Sequence, residues 1–91
     1  MKPITFTFQR KKWTAKEKEE LRDDSGERCD GLTDYDKHTI FLEKSLTKAA
    51  KETTLLHELL HVAFPYLSEE AVLSGEQVIN LVQRRFEGAK P

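Results

Sequence analysis

The sequence predicts an α+β fold: a small antiparallel β-sheet packed on one helix, followed by an antiparallel C-terminal helix rich in glutamate. Three observations predict it. Ile4-Thr5-Phe6-Thr7-Phe8 alternates apolar and polar residues, the pattern of a strand with one buried face. Thr39-Ile40-Phe41-Leu42 concentrates strand-forming residues behind the turn-rich Asp34-Tyr35-Asp36-Lys37. Two segments with helical spacing follow, separated by Pro65.

Taken in order, residues 4–8 form the first strand. Arg10-Lys11-Lys12 beside Trp13 reads as a solvated edge with one packed aromatic. Thr14, with Glu17 three residues on, has the pattern of a capping box and predicts a short helix over residues 15–22. Asp23-Asp24-Ser25-Gly26 is a turn. Residues 28–33 and 38–42 flank the 34–37 turn as a hairpin. Ser45 is the expected start of the next helix, which Pro65 stops because the residue before proline disfavours the helical region. Ser68 is the expected N-cap of the last helix, with Glu69 and Glu70 at its positive end. That helix runs to about Phe86, with Gly88 past its end, and Val72, Ile79, Val82 and Phe86 have the spacing of a core-facing stripe.

Residues 1–91 make a single small domain. With 37% hydrophobic and 34% charged residues its core is thin, and domains this small often lean on a metal, disulfides or a partner. Cys29 is the only cysteine, so no intrachain disulfide is available, and a reducing, cytoplasmic setting is expected. A net charge of −1 gives no global electrostatic case for nucleic acid or an anionic membrane. No apolar run has the length of a signal peptide or a membrane span.

The chemistry concentrates in His57-Glu58-Leu59-Leu60-His61, an H-E-x-x-H motif flanked by Leu55, Leu56, Val62, Ala63 and Phe64. Residues four apart share a helix face, so His57 and His61 present two imidazoles to one point, which suits zinc. Glu58 is placed to act as general base on a zinc-bound water. A catalytic zinc site usually holds three protein ligands, and the third must come from elsewhere. The carboxylates after the motif are Glu69, Glu70 and Glu76. In an antiparallel helix pair joined by a short connection, the level of the motif meets the second helix near residue 74. Side chains lean towards the N-terminus of their own helix, which moves the meeting point further on, to Glu76. Glu69 is the alternative, and a crossed helix pair would reverse the order. Glu70 points to solvent.

Residues 53–62, followed by a second acidic helix, resemble the gluzincin-type zinc metallopeptidases, and more closely their minimal, ImmA/IrrE-like members, many of them phage-borne. The resemblance covers roughly residues 30–86. It implies a zincin-like fold, zinc as cofactor, and a third ligand on the helix after the motif. Glu76-Gln77-Val78-Ile79-Asn80 fits the E-x-x-x-D/N pattern of that helix, which adds weight to Glu76 and implies Asn80 as a supporting residue. The spacing from the motif to this helix is shorter than in most larger members.

The expected function is therefore zinc-dependent hydrolysis of a peptide or protein substrate. The alternative is a non-catalytic module in which zinc is a staple for binding or regulation. An extended peptide is expected along the edge of residues 39–42, and Tyr66, in the turn, is a candidate oxyanion donor. His38 reads as an ordinary hairpin residue and Cys29 as a small buried one.

Overall fold

The computed structural model describes residues 1–88. Four strands, β1 (Ile4–Phe8), β2 (Lys11–Lys18), β3 (Gly31–Asp34) and β4 (Thr39–Glu43), precede two helices, α1 (Lys48–Ala63) and α2 (Glu69–Gly88). The fold is α+β as expected, but the sheet is mixed, in the order β1-β2-β4-β3. β1 pairs with β2 and β3 with β4 antiparallel, whereas β2 and β4 run parallel, Ala15 opposite Ile40.

The parallel contact arises because residues 11–18 are a strand and not the expected helix. A two-residue turn, Gln9-Arg10, folds β2 back on β1 with both residues at positive φ (51° and 66°). That is the turn geometry that matches strand twist, although neither residue is one of the usual Asn or Gly. Trp13 and Ala15 point to the buried side and are 5% and 1% exposed. Glu17 shares their parity. Its carboxylate is accommodated by Lys51 of α1 and by the Met1 amine, 2.8 Å away. These cations hold it well below the usual carboxylate range, at about 2.

Residues 19–30 make an excursion tied back by the Glu43 carboxylate at the end of β4. Its Oε1 accepts the Leu21 N–H (2.8 Å), and its Oε2 accepts the Ser45 N–H and hydroxyl, each at 2.9 Å. Ser45 is thereby committed to Glu43, and the N-cap of α1 falls two residues later, at Thr47, whose Oγ1 accepts the Ala50 N–H. Ser68 caps α2 as expected, accepting the Ala71 N–H.

Trp13, Ala15, Ile40, Leu42 and Val62 form the core between the sheet and α1, with Phe6, Phe8, Leu55 and Leu59 around them. α1 lies against β3 and β4, and α2 packs on α1. Of the stripe expected to face the core, Val72 is buried and Ile79 half-buried, whereas Val82 and Phe86 are exposed. No helix among the described residues is long and apolar enough to cross a membrane.

Candidate metal centre

α1 projects its polar face towards the N-terminal half of α2, and the two enclose one end of a cleft of about 430 Å³. Helical spacing brings the Nε2 atoms of His57 and His61 to 3.2 Å from one another. Glu69, the first residue of α2, spans both: Oε1 lies 2.7 Å from His57 Nε2 and Oε2 lies 2.8 Å from His61 Nε2. Ligand atoms from the three residues all fall within 4.8 Å of one another.

Glu76 approaches His57 from behind, with Oε2 2.6 Å from Nδ1. The two glutamates are therefore divided between the two nitrogens of one ring. Their exposure differs accordingly: the Glu69 side chain is 64% exposed at the mouth of the cleft, and that of Glu76 13%. Burial works against protonation of His57, but the Glu76 hydrogen bond and the charges of Glu69, Glu58 and Glu76 outweigh it and raise its pKa.

Glu58 lies on the wall facing β3 and lines the same cleft. Its Oε1 accepts the Thr33 hydroxyl at 2.8 Å. The close approach of α1 to β3 depends on Gly31, where a Cβ would sit 2.6 Å from Thr54 Cγ2 and 3.2 Å from Glu58 Cγ. Two residues beyond Thr33, the Tyr35 hydroxyl donates to the His61 carbonyl at 3.2 Å. Burial and the nearby Glu58 charge raise the Tyr35 pKa. Gly31, Thr33 and Tyr35 were not among the expected site residues. Gly31 and Thr33 share a parity on β3, which turns both towards α1, whereas Tyr35 follows the strand in the turn and carries no such signal.

Other expected residues fall elsewhere. Asn80 lines a second groove of about 580 Å³ with Leu56, Gln83 and Arg84, not the cleft. Tyr66 packs edge-on against Phe64 and is 79% exposed, outside the residues that line the cleft. His38 sits in the β3–β4 turn, its ring 5.0 Å from Trp13. Residues 39–42, expected as a docking edge, are an interior strand paired on both sides. The sheet edge at the cleft is β3, whose Gly31 and Leu32 line it.

No family, curated protein or solved structure matches the chain.

The donor set could hold a metal ion. Two imidazoles and a carboxylate are common ligands of zinc, and here the two Nε2 atoms stand 3.2 Å apart with the Glu69 oxygens 2.7 and 2.8 Å from them. Two nitrogen lone pairs and a carboxylate aimed at one point repel unless positive charge sits among them, as protons or as a cation.

Proposed function

We propose that the chain is a zinc-dependent peptide hydrolase of the zincin-like, minimal gluzincin type, acting on a peptide or protein in a cytoplasmic setting. The observation that carries this reading is the convergence of His57, His61 and Glu69 at the mouth of a cleft whose wall holds Glu58. His57 Nε2, His61 Nε2 and the Glu69 carboxylate would hold the ion. Glu76, on His57 Nδ1, fixes the tautomer that leaves Nε2 free to ligate. Zinc bound there would lower the pKa of a water and polarise a scissile carbonyl.

The remaining work belongs to the chain. Glu58 Oε1 is held by Thr33, leaving Oε2 to take the proton of the attacking water and deliver it to the departing amine. The open edge of β3 gives an extended peptide a row of backbone hydrogen-bonding groups beside the base.

One observation favours the second reading, a zinc-stapled binding or regulatory module. His57 and His61 lie on α1 and Glu69 on α2, so an ion would cross-link two helices of which α1 alone contributes to the core cluster. Glu58→Gln separates the two. In a hydrolase it lowers kcat by about 10²-fold or more, the scale of general-base catalysis, while zinc content and fold persist. Zinc loss or unfolding in that variant would make Glu58 a structural residue and sink the hydrolase reading.

A further inference from the structure

We propose that Thr33 is the positioning residue for Glu58, so that the strand offered to substrate also sets the orientation of the base. This rests on the hydrolase reading above. A glutamate beside metal ligands on a helix is free to rotate about several bonds, and a base that samples several directions is productive for only part of the time. Here one of its oxygens is fixed. The Thr33 hydroxyl donates to Glu58 Oε1 at 2.8 Å, a charge-assisted bond that selects one carboxylate plane.

The contact is built into the backbone. Thr33 pairs with Ile40 in the ladder, which sets its height along β3. Gly31, two residues earlier on the same face, lets α1 come close enough for the bond, because any Cβ there would collide with Thr54 and crowd Glu58. β3 is the last strand of the sheet, so its outer edge has no strand partner among the described residues. A peptide added to that edge would order β3 and, through Thr33, the carboxylate.

Thr33→Val keeps the shape of the side chain and removes the donor, and Thr33→Ser keeps the donor. The zinc-loaded chain is assayed on whichever fluorogenic peptide from a degenerate set the wild type cleaves fastest. Thr33→Val is expected to lower kcat about tenfold or more, part of what a general base contributes, with KM and zinc content unchanged. Thr33→Ser is expected to restore kcat to within about threefold, since the donor alone carries the effect. Equal kcat in wild type and Thr33→Val, or no recovery with serine, overturns the proposal.

A melting cycle on the metal-free chain reads the same contact without activity. Thr33→Val combined with Glu58→Ala should lower Tm by less than the sum of the single changes, by about 3 °C or more. Additive shifts overturn the proposal. If the wild type cleaves no peptide, the hydrolase reading fails by itself, and the cycle still decides whether Thr33 holds Glu58.

Discussion

At the residue scale, the difference between Glu69 and Glu76 is one of which imidazole nitrogen each meets. Glu69 faces the two Nε2 atoms and Glu76 faces His57 Nδ1. Glu76→Gln is therefore expected to weaken zinc binding about 10–100-fold, as loss of an orienting partner does. Glu69→Gln is expected to weaken it more. Competition titration against a chromophoric chelator checks the order, and a larger loss at Glu76 would exchange the two roles. His57, Glu58 and His61 were legible in the sequence because a helix fixes the relation of residues four apart. The sequence named Glu76 first and Glu69 as the alternative, and the way each meets the histidines depends on how two helices pack. Thr33 and Tyr35 were hidden for a related reason: they reach the motif only through the pairing of β3 with β4 and the packing of that hairpin on α1.

Glu43 makes a prediction about acid stability. Its carboxylate accepts the Ser45 N–H, the Leu21 N–H and the Ser45 hydroxyl, which hold its pKa at about 2 against an ordinary 4.5. A depressed folded-state pKa contributes stability that is present above the unfolded value and lost as pH falls towards the folded one. Tm should accordingly fall between pH 4.5 and 2, with Glu17 acting in the same direction. Glu43→Gln should lower Tm at neutral pH and flatten that acid limb. An acid limb as steep as in the wild type would contradict the assignment.

At the element scale, β1, the β3–β4 hairpin and both helices follow from local pattern, and β2 does not. Its Lys- and Glu-rich composition suits a helix, and the inward alternation of Trp13, Ala15 and Glu17 is masked by a charged third member. Glu17 is tolerated on the inner side because Lys51 and the Met1 amine, both distant in sequence, meet it there. Once β2 is a strand, β4 becomes interior, and Ile40 and Leu42 are fully buried. Leu42→Ala should then destabilise the fold by about 2–5 kcal/mol, a fall in Tm of roughly 10 °C or more in a chain of this size. A fall of only a degree or two in thermal unfolding would place β4 outside the core.

At the scale of the whole molecule, the apolar core belongs to the sheet and α1, while α2 contributes Val72 as its buried residue. Val82 and Phe86, expected to complete the core, are exposed on the C-terminal half of α2, which lines the second groove together with α1. The candidate metal centre lies at that junction, so an ion held by His57, His61 and Glu69 would act on folding as well as on chemistry. Free zinc at 100 times its Kd adds about 2.7 kcal/mol, equivalent to roughly 10 °C or more in Tm. Chelation should reverse the shift, and calorimetry with and without zinc reads it.

An open site made by two histidines and one glutamate is tested most directly by a crystal structure of the zinc-loaded chain with anomalous scattering recorded at the zinc edge. One ion is expected, bound by His57 Nε2, His61 Nε2 and Glu69, with Glu76 on His57 Nδ1 and a remaining position open beside Glu58. An ion enclosed by four protein ligands, or no ion between these residues, would contradict it.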